Sequence, residues 1–184
     1  MPIIIRNYQA SFDLLRKDLE QVLEYIEPVD CNDKTFSHRT YGLLLRACTD
    51  FESLAKDTLI DKDPKYPKSP EKLNINDYRK LEPKLNLEPL DVDFLLWRPQ
   101  PRRASPFRKW SVSPLQWYQD YNKVKHNRDA EFARANLGVV VEAMAGLFVL
   151  LAIVSEFNWG DCSWQRENGQ YSFWRPPFCM YGPV

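Results

Sequence analysis

From Tyr8 to Ile26 the apolar residues Phe12, Leu15, Leu19, Val22, Leu23 and Ile26 recur at helical spacing with charges between them, which predicts an amphipathic helix ended by Pro28 and Asp30. Ser37 is placed to cap a second helix running to about Ile60, whose buried stripe is Tyr41, Leu44, Leu45, Cys48, Phe51, Leu54, Ala55 and Leu59. The pattern then breaks. Prolines between residues 61 and 89 exclude a continuous helix, and Asn76 to Leu81 predicts only a short one. Asp91 to Trp97 alternates weakly, as a strand would, and Arg98 to Lys109 reads as a proline-interrupted basic loop. Ser113-Pro114 predicts the start of a third helix, with serine as cap and proline in the first turn, reaching about Asn127. A fourth is expected from about Asp129 to Glu156. Ser163 to Trp174 then reads as a β-hairpin with Asn168-Gly169 at its tip, the pairing that suits a type I′ turn.

The expected architecture is all-α: an antiparallel bundle of four principal helices in one domain over residues 1–184. It carries a proline-rich insertion with a short helix at 61–113 and a Trp-rich hairpin and tail at 160–184. The hairpin aromatics Trp164, Tyr171, Phe173 and Trp174 are expected to cover a flank of the bundle.

The run Leu137 to Val154 is apolar enough to raise the question of a membrane span, but Glu142 interrupts it and small residues fill it. A central buried helix is the expectation, with no membrane partner. Met-Pro-Ile-Ile-Ile is too short for an export segment and Arg6 interrupts it, so a cytoplasmic protein with free thiols is expected. Cys48 falls inside a helical pattern and reads as a small apolar residue. Cys162 and Cys179 flank the hairpin, and whether they pair is left open. No two cysteines have zinc-knuckle spacing, and no metal or cofactor is implied.

Lys+Arg and Asp+Glu are equal at 25 each, so net charge gives no support to general nucleic-acid binding and local charge has to be read. Between Arg98 and Arg128 there are eight cations (Arg98, Arg102, Arg103, Arg108, Lys109, Lys123, Lys125, Arg128) and one acid, Asp120. Trp97, Phe107, Trp110, Trp117, Tyr118 and Tyr121 are interleaved with them. Two readings stand. The cations bind phosphates while the aromatics stack on bases, or the arginines solvate a loop while the aromatics are core.

The third helix carries Asn122, Lys123, Lys125 and His126, with Arg128 just beyond. Asn122 and His126 share a face, so the amide can orient the imidazole or touch a phosphate. Histidine exchanges protons near neutral pH, and the cations would hold an anion beside it. The plainer alternative is a helix-terminal histidine that favours the negative end of the helix dipole, worth about 0.3–1 kcal/mol. His38, the second histidine, shows no partner and reads as surface. Arg46 and Asp50 have ion-pair spacing; alternatively Arg46 faces the third helix and joins the phosphate site, with Asp50 or Glu52 holding a basic residue.

The segment Trp117-Tyr-Gln-Asp-Tyr-Asn-Lys-Val-Lys-His126-Asn-Arg128, followed by Phe132, Ala135, Asn136-Leu137 and the Ala/Gly-rich apolar helix, resembles HEPN domains. Leu43 to Leu54 resembles the second helix of that fold. The resemblance covers about residues 8–60 and 114–157 and leaves out the insertion and the hairpin. It implies an all-α bundle that dimerises with itself and, in many members, cleaves RNA without a metal in toxin–antitoxin and phage-defence systems. Other members are non-catalytic and bind a protein partner in the manner of an antitoxin. The family motif is an arginine, then four to six residues, then a histidine. His126 matches the histidine and Asn122 the polar residue after the arginine, but Gln119, Asp120 and Tyr121 stand where that arginine is expected. The resemblance, with the residues, implies His126, Asn122 and Arg128 as the catalytic group, and Lys123, Lys125, Arg46 and Tyr121 as contacts to RNA or a nucleotide.

Overall fold

The computed structural model of the chain describes Ile3, residues 5–155, and the backbone of three strands between residues 165 and 181. Four longer helices carry most of it: α1 (Ile5–Leu23), α2 (His38–Lys62), α5 (Gln116–His126) and α7 (Leu137–Val154), with short helices α3 (Ile75–Tyr78), α4 (Glu82–Leu85) and α6 (Arg128–Glu131) between them. Helices α2 and α7 form the central pair, and α1 and α5 pack on both. The protein is therefore mostly helical, with a small antiparallel sheet attached.

Local chemistry sets the helix starts. Ser37 Oγ accepts from the Thr40 amide at 3.2 Å while Thr40 Oγ1 accepts from the Ser37 amide at 2.7 Å, a reciprocal capping box at the head of α2. At α5 the expected cap fails: the helix starts at Gln116 without a side-chain cap, because Ser113 Oγ donates instead to the Lys109 carbonyl at 3.0 Å. The expected continuous fourth helix is also divided. Asn127 leaves helical geometry, α6 and a 3-10 turn follow, and α7 starts afresh with Asn136 accepting from the Val139 amide at 3.2 Å. Two further amides at the head of α7, those of Leu137 and Gly138, donate to the carbonyls of Thr35 and Asp33, both at 2.9 Å. An asparagine that can cap competes with helix continuation, and here it wins.

The core is aromatic-rich. Phe51 of α2 is fully buried and packs against Trp117 (5.1 Å between centroids, edge to face), Phe107 (6.0 Å) and Trp110 (6.4 Å). Phe12 of α1 stacks on Phe148 of α7 at 5.8 Å. The six aromatics interleaved with the basic segment are at most 4% exposed, so they are core and cannot serve as a base-stacking platform. Cys48 is fully buried, and burial holds its thiol well above the usual range, an inert apolar role. Helix α7 is long and apolar enough to cross a membrane, yet 78% of it is buried inside the fold.

The sheet joins two segments that read as separate decorations. Its order is β2 (Arg102–Ala104), β1 (Asp91–Phe94), β5 (Phe178–Tyr181), β4 (Gln170–Ser172), β3 (Gln165–Glu167), all neighbours antiparallel. Strand β1 alternates as expected, with Val92 and Phe94 buried. The basic loop holds β2, and β1 of the insertion pairs with β5 of the tail, Val92 opposite Met180. Strands β3 and β4 form the expected hairpin, with Glu167 opposite Gln170. The hairpin tip, the packing of its aromatics and the pairing of Cys162 with Cys179 lie outside the described residues.

Candidate nucleic-acid interface

Helix α5 turns one face inward, burying Trp117, Tyr118, Asp120, Tyr121 and Val124. Amphipathic spacing then leaves Asn122 half-buried and Lys123, Lys125 and His126 exposed. His126 is the last residue of the helix, and the imidazole is open to solvent, with no hydrogen-bonding or ionic partner among the described residues. Asn122 and Lys123 likewise have no side-chain partner among the described residues.

Lys125 is tied back to the bundle. Its Nζ lies 3.0 Å from the Tyr121 hydroxyl, 5.0 Å from that ring's centroid and 4.0 Å from a Glu52 oxygen. The bond to Tyr121, partly opposed by burial and helped by Glu52, raises its pKa. The Tyr118 hydroxyl donates to Glu52 at 2.5 Å. Burial first, and Glu52 second, raise Tyr118; burial raises Tyr121 as well. Both phenols therefore stay protonated and offer no base. Tyr121, at 1% exposure, presents no face to a substrate.

Arg46 lies away from this group. Its guanidinium meets Asp18 of α1, and Asp50 accepts from Ser11 of α1, so neither the intrahelical pair nor an approach of Arg46 to α5 is formed. Glu52 alone of the acids considered on α2 reaches a cation of α5.

Arg128 has a different setting. The break at Asn127 folds it back over the start of α2, where Nη2 lies 3.0 Å from His38 Nδ1. Its guanidinium carbon sits 4.8 Å from the Tyr41 ring centroid and 5.5 Å from that of Phe132. Arginine only donates, so His38 Nδ1 accepts and the ring carries its proton on Nε2. Phe132 also contacts His38 at 5.0 Å and Phe36 at 5.7 Å, and Phe36 is 47% exposed. His38, Arg128, Asp129 and Phe132 line a recess of about 500 Å³. Both histidines of the chain thus flank one arginine, His38 by direct contact and His126 two residues before it in sequence. His38 gave no signal in sequence because its partner is 90 residues away.

The arrangement offers a cation, the His38 imidazole and an accessible ring beside a shallow recess, with His126 exposed at the end of the adjoining helix. Such a set can hold a phosphate, exchange protons and stack a base. No protein-family model, curated protein or solved structure matches the chain.

Proposed function

We propose that the chain is a HEPN-like protein that binds RNA or a nucleotide at the junction of α5, α6 and the head of α2, and that it cleaves RNA without a metal. The observation that carries this reading is the Arg128 guanidinium held against Tyr41 and Phe132 at 3.0 Å from His38, with His126 exposed two residues before it in sequence. One imidazole takes the proton of a ribose 2′-hydroxyl as that oxygen attacks phosphorus. The phosphorus–5′-oxygen bond breaks, and the second imidazole, entering protonated, gives its proton to the departing oxygen. Arg128 offsets the charge on the phosphorane, and Lys123 and Lys125 hold neighbouring phosphates. In this reading two copies pair, and the protein works in the cytoplasm in stress or phage defence.

The test is incubation of the purified chain with single-stranded RNA in EDTA, beside His126→Ala, His38→Ala and Arg128→Ala. Cleavage lost in each variant, by about a hundredfold or more as removal of a general acid or base predicts, supports the reading. Cleavage that persists in all three refutes it.

A second reading has its own support. Tyr121 is buried where the family arginine is expected, and Phe36 is an exposed ring, which favours a non-catalytic module that binds a protein partner in antitoxin-like fashion. Absence of cleavage and of RNA affinity in the unsubstituted chain would select it.

A further inference from the structure

A second cleft holds neither histidine nor Arg128. It lies between α5, α7, β2 and the turn before α2, has a volume of about 690 Å³, and is walled by Asp33, Arg102, Arg108, Trp117, Gln119 and Glu142, among others. That volume falls in the range typical of small-molecule sites, roughly 300–1,000 Å³.

Its polar groups are unevenly satisfied. Asp33 is bonded by Arg102 and paired with Lys34 at 3.1 Å. Burial alone would raise Asp33, but Arg102 and Lys34 override it and hold the carboxylate below its usual range. Asp120 is bonded by Arg134 and Gln116, at 3.0 and 3.1 Å. Among the described residues Glu142 has no such donor: its ion pair with Arg102 is 3.9 Å long, beyond hydrogen-bonding distance, and that guanidinium is already committed to Asp33. The Glu142 side chain is 26% exposed, and its surroundings push its pKa up to about 7, by burial first and by Asp33 and Asp91 against the pull of Arg102. A glutamate on an otherwise apolar helix therefore stands on a cleft wall with one long ion pair and no hydrogen-bond donor among the described residues. Arg108 is exposed, with no ionic partner among the described residues.

Two vacant roles of opposite sign in one cleft define a ligand. We propose that the cleft binds a small zwitterion, its ammonium against Glu142 and its carboxylate or phosphate against Arg108. An ammonium supplies Glu142 with a hydrogen-bond donor that no described residue gives it. A simple anion would leave Glu142 without that donor, and a simple amine would leave Arg108 unused. Among the described residues the charged groups acting on Glu142 are Arg102 from β2, Asp33 from the turn before α2 and Asp91 from β1. Binding of an ammonium favours the ionised carboxyl, so it releases a proton from Glu142 when the site is loaded near neutral pH.

The experiment is isothermal titration of the full chain with ω-amino carboxylates of increasing length, the matching amino phosphates, and the corresponding simple amines and simple carboxylates. Heats are measured in buffers of different ionisation enthalpy, which counts protons released. One amino acid or amino phosphate binds about tenfold or more tightly than either monofunctional analogue, and releases a proton. Which of the two series wins tells carboxylate from phosphate. Arg108→Ala loses about tenfold in affinity and still releases the proton; Glu142→Gln loses a similar factor and releases none. No binding by either series at about 100 mM, equal binding of the monofunctional analogues, or unchanged affinity in a folded Glu142→Gln overturns the proposal. If Glu142→Gln does not fold, proton release by the unsubstituted chain and the loss in Arg108→Ala decide the matter.

Discussion

Glu142 makes stability fall with rising pH, and the size of the effect follows from its place in the fold. Its carboxyl titrates near 4.5 when free and at about 7 in the folded chain. Below the free value both states hold the proton and the group is neutral to stability. As pH rises from there towards the folded value, the unfolded chain releases the proton while the folded chain keeps it. The unfolded state then binds fewer protons, so the free energy of unfolding decreases until the folded group also ionises. A shift of this size corresponds to about 3 kcal/mol. With the side chain 26% exposed, solvent screening brings the expected loss to about 2 kcal/mol. Glu142→Gln keeps the shape and removes the titration. Urea unfolding of both chains at about pH 4 and about pH 8 measures the difference. The variant is expected to match the unsubstituted chain at the lower pH and to exceed it by about 2 kcal/mol at the higher. Parallel behaviour of the two chains would refute the argument, since every other titrating group is common to both.

Two further outcomes follow from packing. Phe51→Ala removes a fully buried ring that packs against four core aromatics, Phe107, Trp110, Trp117 and Tyr118, and is expected to lower the free energy of unfolding by about 3–5 kcal/mol in the same urea assay. A side-chain carbon at position 138 would lie 2.2 Å from Asp33 Oδ1, so Gly138→Ala must displace that carboxylate from Arg102. It is expected to cost about 1–2 kcal/mol, the gain in helix propensity from alanine being smaller than the loss, and the cost should vanish in an Asp33→Ala background, which a double-mutant cycle reads directly.

Much of the local structure was legible along the chain. Apolar spacing marked α1, α2, the inward face of α5 and α7, because a helix repeats its faces every few residues and burial selects one of them. Ser37 announced its cap, and Asn168-Gly169 the hairpin whose strands β3 and β4 do pair. The misplaced boundaries were also local: Asn136 is a capping residue as plainly as Ser37, and it divides what periodicity alone would join.

What the chain could not show by itself is who meets whom across long separations. The basic segment alone does not say that its aromatics are core, or that Arg102 is spent on Asp33 and Arg103 bonded to Asp93. Arg46 has an acid at ion-pair spacing on its own helix, yet it turns to Asp18 on the neighbouring one. Periodicity gives a helix its faces but not its neighbours, so the pairing of β1 with β5, the contact of His38 with Arg128, and the place of Glu142 on a cleft wall 3.9 Å from Arg102 arise only when the helices pack. Sequence determined the elements, because their energetics are local. Tertiary structure decided the sites, because a side chain's charge state and partners depend on groups brought close by burial of distant segments.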